Sequence, residues 1–164
     1  MHERAVEFAE RARNRYGVDL DVVEFDAGTK TAAAAADAVG CDTAAIASTI
    51  VVSLAEPERE TGPENLAAAI TSGANRLDLD AVAERFDAAS ATMADPERIR
   101  EIVGWSIGGV PPIAHDAALP TVFDPTLTEY DTVYGAAGTP SALFPIDPET
   151  LADLADATVV GLTE

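Results

Sequence analysis

The spacing of apolar residues along the chain predicts a succession of helices and short strands. Residues 2–16 carry apolar side chains on one helical face and mostly Glu and Arg on the other, and Gly17 is a typical helix end. Residues 20–25 have the composition of a first strand. Thr31 is a typical N-cap for an alanine-rich helix that closes at Gly40, so we expect a second helix there.

The rest of the chain continues this mixture. Buried strands are predicted over residues 46–54 and 66–71, with a polar loop at 56–65 between them. Three more helices are predicted from their aspartate N-caps, which are Asp78, Asp95 and Asp147. Four further strands are predicted near residues 121–123, 132–136, 141–145 and 158–161.

The order of these elements indicates the fold class. Strands and helices are interspersed without the regular spacing of βαβ units, and most of the strands are short. This pattern favours an α+β fold with a small mixed sheet, partly closed like a β-barrel and flanked by helices, over a doubly wound sheet. The chain has 164 residues and neither an internal repeat nor a linker, so we expect one domain over residues 1–164.

The charge of the chain is unusual. Its 29 acidic residues outnumber its 10 basic residues, which gives a formal net charge of −19, and Lys30 is the only lysine. A negative field repels phosphate, so we expect no non-specific nucleic-acid binding and no DNA partner. At molar salt the Debye length falls to about 3 Å, which screens the repulsion while surface carboxylates keep the protein hydrated. The composition therefore predicts a salt-rich cytoplasm, as in a haloarchaeon.

Other features of the sequence bear on location. Cys41 is the only cysteine, so no disulfide can form within the chain, and a small core residue is a better interpretation of it than a nucleophile. The first residues lack the apolar segment of a signal peptide. The longest charge-free runs, such as residues 43–55 and 132–146, are shorter than the roughly 18 apolar residues of a membrane span. We expect a cytoplasmic protein without a membrane partner.

Familiar catalytic motifs are absent from the sequence. Two histidines, His2 and His115, and one cysteine provide no zinc-type ligand spacing, so we expect no metal and no cofactor. The sequence contains no nucleophile elbow, no phosphate-binding Walker loop and no dinucleotide fingerprint. A triad of His115, Asp124 and a serine could be assembled, but with so many serines in the chain it carries little weight.

Two loops rich in small residues are better candidates for a site. Residues 105–115 read WSIGGVPPIAH, in which two glycines allow close backbone approach and two prolines hold the chain in place. Such a loop can present backbone N–H groups to an anion or oxyanion, although a tight turn between strands explains it equally well. The second loop, residues 135–140, reads GAAGTP. Between the two loops, Asp124 is most simply the N-cap of the turn that follows it.

Together these segments resemble the YbaK/prolyl-tRNA synthetase-associated domain family. The resemblance covers nearly the whole chain, and the GGVPP loop followed by Ala-Gly-Thr-Pro is its most specific part. The matching segments are the capped helix at 31–40, the strand at 46–52, the turn at 71–78, the GGVPP loop at 108–112, Phe123-Asp124 and residues 137–140.

The resemblance implies an activity. Members of the family hydrolyse the ester between a wrong amino acid and the 3′-terminal adenosine of a tRNA, often the proline tRNA. A glycine-rich loop supplies backbone donors, and the ribose hydroxyl of the tRNA is one candidate for activating the water. The implied partners are the 3′ end of an aminoacyl-tRNA and an aminoacyl-tRNA synthetase that delivers it.

The candidate residues follow from this match. The expected catalytic residues are the backbone cradle and one side chain of the buried strand, namely Gly108, Gly109, Val110 and Ser48. The expected substrate-binding residues line the pocket, support its loops or reach a phosphate, and are Thr49, Arg76, Pro111, His115, Asp124, Gly138 and Thr139.

The sequence departs from the family pattern at two of these places. Ser48 stands where many members carry a lysine that contacts the substrate, and Ala136 stands where a serine often precedes the Ala-Gly pair. Arg76, ahead of Arg98 and Arg100, is the better candidate to replace the lost charge. The alternative interpretation of Arg76 is a surface arginine paired with Asp78 or Asp80. Two hypotheses remain open: a trans-editing aminoacyl-tRNA deacylase, or a binding module with the same fold that has lost the chemistry.

Overall fold

The computed structural model describes residues 2–25, 31–55 and 66–164. Five helices lie in these ranges: α1 (Glu3–Tyr16), α2 (Ala32–Val39), α3 (Leu79–Arg85), α4 (Pro96–Ile102) and α5 (Pro148–Leu154). The eight strands of the same ranges are β1 (Val23–Glu24), β2 (Ile46–Ala55), β3 (Leu66–Ser72), β4 (Ser90–Met93), β5 (Thr121–Phe123), β6 (Val133–Ala136), β7 (Ala142–Ile146) and β8 (Thr158–Val159). The predicted loop at 56–65, and Lys30, lie outside the described residues.

The strands form one mixed sheet in the order β1-β7-β6-β2-β3-β5-β8, with β4 added beside β2. The central pair, β2 and β3, is antiparallel from Ala47 opposite Ser72 to Ser53 opposite Leu66. By contrast, β6 runs parallel to β2, and β5 runs parallel to both β3 and β8. The predicted α+β class with a mixed sheet and flanking helices is confirmed.

One edge of β2 is interrupted, and this interruption positions the site. β6 pairs with β2 only at Ile46 and Ala47, whereas β4 pairs with it from Val52 onward. The Ala94 N–H adds one bond of 3.0 Å to the Val51 carbonyl. Between these two neighbours, residues 48–50 of β2 lack an adjacent strand on that edge.

Local sequence signals explain most of the helix boundaries. The side chains of Thr31, Asp78, Asp95 and Asp147 each accept a bond from a backbone N–H in the first turn of the following helix, as the N-cap prediction requires. The prediction missed β4, because its four residues, Ser90–Met93, are too few for a clear strand pattern, and three of them are exposed. The first strand is also shorter than predicted, since only Val23 and Glu24 pair with β7.

The main core lies between α1 and the sheet. Its largest fully buried side chains include Trp105, Phe8, Phe123 and Phe144. The Phe8 ring lies 5.1 Å from the Phe144 ring and 6.1 Å from the Trp105 ring, centroid to centroid. Trp105 therefore anchors the start of the GGVPP loop to α1. Within the described ranges, no helix is long and apolar enough to cross a membrane.

Candidate functional site

A cavity of about 230 Å³ lies at the interrupted edge of β2. It brings together Ser48 and Thr49 of β2 with Gly108 and Val110 of the GGVPP loop, four of the residues predicted for the site. Residues of α2, Met93 and Ile107 complete much of the wall. No charged side chain of the described residues lines this cavity, and the polar side chains among its described lining are the hydroxyls of Thr31, Ser48 and Thr49.

Thr49 has an unusual hydroxyl. Its Oγ1 is buried and has no hydrogen-bond partner within the part of the chain that the structure describes. A buried polar atom left unpaired costs about 1–3 kcal/mol, and such atoms are rare in folded proteins. By contrast, the Thr31 hydroxyl at the same cavity already accepts a bond from Ala34 N as a helix cap. The Thr49 hydroxyl therefore retains an unused hydrogen-bonding capacity in a residue that lines the cavity.

Backbone groups of β2 also face this space. In a strand the N–H and C=O groups of alternate residues point to the same edge. The Val51 carbonyl points toward β4, since it accepts the bond from Ala94 N. The N–H and C=O of Thr49 therefore face the same edge, where neither β6 nor β4 pairs with it.

The GGVPP loop contributes Gly108 and Val110 to the wall, while Gly109 faces away from the cavity. Gly108 has φ of +94°, a conformation that other residues rarely adopt. The Gly109 N–H donates to the Ser106 carbonyl over 3.1 Å, and a Cβ on Gly109 would lie only 2.6 Å from the Thr139 carbonyl carbon. Gly109 thus packs the first loop against the second loop.

The second loop lies behind the cradle. Thr139 is buried, and its Oγ1 accepts a bond from Ser141 N at 3.2 Å. Gly138 packs on the indole, because a Cβ there would lie 2.6 Å from Trp105 Cζ3. Gly138 and Thr139 therefore support the cradle loop, and Ala136 is the residue of this loop that reaches the cavity.

Side chains of α1 hold the far end of the GGVPP loop. Ala114 is fully buried with φ of +66°, and its N–H donates to the Tyr16 hydroxyl at 2.9 Å. Its carbonyl accepts bonds of 2.9 Å from both Arg11 Nη1 and Trp105 Nε1. The Arg4 guanidinium lies 4.1 Å from the centroid of the indole ring and donates to the Gly104 carbonyl. This role of α1 could not be predicted from the sequence, since no local pattern shows which partner a helix face meets.

The remaining predicted residues lie outside the cavity wall. His115 Nε2 is 2.7 Å from the carbonyl of Pro111, a buried residue, and His115 lines a separate cavity of about 350 Å³ together with Tyr16 and Ala114. Burial is the main reason that the pKa of His115 is lowered. His115 and Pro111 therefore brace the loop from behind.

Asp124 is buried and organises a turn. Its carboxylate accepts bonds from Ser72 N and Asn75 Nδ2, both at 3.0 Å, and from Thr126 N at 2.9 Å. Burial alone would raise the pKa of Asp124, but these hydrogen bonds lower it. As predicted from sequence, Asp124 caps the turn that follows it, here a 3₁₀ helix at Pro125–Glu129.

Arg76 is far more exposed than the other predicted residues. Its side chain is 88% exposed, and its Nε lies 3.4 Å from Glu164 Oε2. Asp78, which the sequence suggested as its partner, caps α3 instead. Arg76 does not line the cavity. Among the described residues, no group of three or more His, Cys, Asp or Glu side chains could hold a metal ion.

Comparison with known proteins gives consistent results. A model of the aminoacyl-tRNA editing domain matches residues 26–154, which leaves α1 outside the matched segment. A crystal structure of a proposed trans-editing enzyme for prolyl tRNA synthetase is 35% identical, with a TM-score of 0.89 over 100% of this chain and 99% of that chain.

Two other solved structures share the architecture. One, from a study of epitope backbone grafting onto scaffold proteins by computational design, is 32% identical with a TM-score of 0.89, and the alignment covers 100% of this chain and 99% of that one. The other, a hypothetical protein, is 24% identical with a TM-score of 0.80 over 96% of this chain and 99% of that one, a likeness of fold alone.

Proposed function

The chain belongs to the aminoacyl-tRNA editing domain family, and from that premise we propose that it is a trans-editing deacylase for a mischarged tRNA, with the proline tRNA as the first candidate. One observation carries the proposal: the cavity at the interrupted edge of β2 joins the cradle loop to the Thr49 hydroxyl. The likeness to a proposed trans-editing enzyme for prolyl tRNA synthetase supports the choice of tRNA.

The proposed reaction is hydrolysis of the aminoacyl ester. The oxygen of a water attacks the acyl carbon, the bond from that carbon to the ribose oxygen breaks, and the ribose oxygen takes up a proton. Backbone N–H groups beside Gly108 and Val110 polarise the ester carbonyl and stabilise the negative charge that develops on its oxygen. Thr49 and Ser48 orient the aminoacyl group, which supplies the positional part of the rate enhancement.

Within the described part of the chain, the cavity wall offers no side-chain base. Its described lining residues are apolar or carry hydroxyls, and none titrates near neutral pH. The family resemblance offers the neighbouring ribose hydroxyl of the substrate as one candidate for activating the water, and a lining of this kind is compatible with that route. Ser48 adds a neutral hydroxyl where the family lysine would add a charge, so binding here relies less on Coulomb attraction.

Deacylation of a panel of mischarged tRNAs in multimolar KCl tests this proposal. We expect the wild type to release the amino acid from at least one mischarged proline tRNA. Gly108→Val should abolish that release, because a β-branched residue does not tolerate φ of +94°. Release of no amino acid from any member of the panel, at low or high salt, would contradict the proposal.

A binding module without turnover is the second candidate. The observation that favours it is Ser48, which removes the positive charge present in many relatives from a cavity whose described lining carries no other charge. A protein that binds a non-hydrolysable aminoacyl-adenosine analogue but leaves every mischarged tRNA intact would support this second function.

A further inference from the structure

Two large apolar side chains stand exposed at the cavity that holds Ser48 and Thr49. Met93 is 57% exposed and Ile107 is 53% exposed, and both line the cavity. Among the described residues, the other large apolar side chains with such exposure are Val23 and Val159, and neither lines this cavity. Two of these four exposed apolar side chains therefore lie at the same cavity.

The fold puts these two side chains beside the cradle from different directions. Met93 ends β4, where it pairs with Val52 just beyond the interrupted part of β2. Ile107 directly precedes Gly108 in the cradle loop. Both side chains thus line the cavity and stay open to solvent, so a group bound there and continuing outward can contact them.

The size of the cavity indicates what that group is. Pockets that enclose a drug-sized ligand have volumes of about 300–1,000 Å³, and this cavity has about 230 Å³. If the aminoacyl group lies inside, as the proposed function requires, the base attached to the same ribose must lie at the mouth. Two side chains are too small a surface for a stable protein partner, whose interface buries at least about 1,000 Å².

The charge of the chain points to the same occupant. With a net charge of −19 and no charged side chain among the described lining residues, phosphate contacts contribute little affinity at this site. High salt weakens such contacts further, whereas it strengthens the burial of apolar surface. A planar base placed on apolar side chains keeps its affinity under these conditions.

We propose that Met93 and Ile107 form a platform for the adenine of the 3′-terminal nucleotide of the substrate. This proposal rests on the deacylase function for the identity of the nucleotide and for the placement of its aminoacyl group inside the cavity. Met93 and Ile107 then set the affinity for the base, while the groups inside the cavity act on the ester.

The test compares two probes by calorimetry in multimolar KCl. One is 3′-alanylamino-3′-deoxyadenosine, whose amide resists hydrolysis, and the other is the same compound without its base. We expect the wild type to bind the adenine-bearing probe at least about tenfold more tightly, which corresponds to about 1.4 kcal/mol. Met93→Ser with Ile107→Ser should remove most of this preference, and Val159→Ser, the matched control, should leave it unchanged.

The outcomes separate this proposal from the proposed function. Equal affinity for the two probes, absence of binding at millimolar probe, or a preference that survives in the double variant would each overturn the platform. A wild type that shows the preference but hydrolyses no mischarged tRNA supports the platform and contradicts the deacylase. Loss of affinity for a synthetase, with the base preference retained, would assign the two side chains to a protein interface and overturn the platform.

Discussion

Replacing Tyr16 with phenylalanine removes one oxygen atom from the contact that holds the cradle loop. The Tyr16 hydroxyl accepts the N–H of Ala114 at 2.9 Å, and Ala114 is fully buried with φ of +66°. The variant leaves that N–H without this partner in the interior. Ala114 also keeps a left-handed conformation that alanine adopts only at some expense.

The magnitude follows from these two features. A buried N–H that loses its partner destabilises the fold by about 1–3 kcal/mol. For a chain of 164 residues, each kcal/mol lowers the Tm by about 2–4 °C. The left-handed conformation of Ala114 itself costs about 1–2 kcal/mol, which glycine would not incur.

The assay combines the melting temperature with the deacylation kinetics on a mischarged tRNA that the wild type hydrolyses. We expect Tyr16→Phe to lower the Tm and to reduce kcat by about tenfold or more with a smaller change in KM, because the loop donors move from the ester oxygen. Adding Ala114→Gly should restore part of both, since glycine relieves the conformation. By itself Ala114→Gly should be close to neutral, whereas Ala142→Gly, at another fully buried alanine but without positive φ, should destabilise by about 1–2 kcal/mol.

Two results would refute this reasoning. One is a Tyr16→Phe protein with the melting temperature and kcat of the wild type. The other is an Ala114→Gly protein that loses as much stability as Ala142→Gly, which would mean that the conformation of Ala114 stores no strain.

Three further predictions concern other parts of the molecule. The Tm should rise with KCl from 0.1 M to several molar as the Debye length falls from about 10 Å to about 3 Å or less, and a Tm that is flat or falls over this range would contradict the assignment of the acidic surface to high salt. Gly109→Ala should lower both stability and activity, since its Cβ would lie 2.6 Å from the Thr139 backbone. The control Gly161→Ala should change neither, because its Cβ would come no closer than 3.9 Å to Pro125 Cγ. Equal stability and activity of the two variants would contradict the contact between the two loops. Because burial lowers the pKa of His115 in the folded protein, the unfolded chain takes up the proton first, so stability should fall as pH drops below about 6.5 toward that lowered pKa. His115→Gln should make the Tm depend less steeply on pH between pH 7.5 and 5.5. An unchanged dependence of the Tm on pH in this variant would contradict the prediction.

The sequence was most informative where structure is local. An aspartate or threonine cap identifies the start of a helix within a few residues, and Thr31, Asp78, Asp95 and Asp147 all cap as predicted. The long strand β2 was also predictable, because it is a charge-free run rich in β-branched residues. Of the eleven site residues named from the family resemblance, four line the cavity, namely Ser48, Thr49, Gly108 and Val110.

Features that depend on pairing between distant segments were not predictable. β4 has an exposed sequence and exists because β2 has a free edge to receive it. The hydrogen bond from Ala114 N–H to the Tyr16 hydroxyl depends on where α1 packs, and the two residues are nearly 100 positions apart in the chain. Likewise, the sequence could not show that Gly109 packs against the second loop or that Arg76 lies beside Glu164.

Thr49→Val tests the central claim most directly, because it removes the buried hydroxyl while nearly preserving the shape of the side chain. If that hydroxyl serves the substrate, its loss should slow single-turnover deacylation by at least about tenfold, the effect of one hydrogen bond of about 1.4 kcal/mol. The Tm should stay the same or rise, since an unpaired buried oxygen opposes folding. A lower Tm with an unchanged rate would contradict the account, because it would show that the hydroxyl stabilises the fold and takes no part in the reaction.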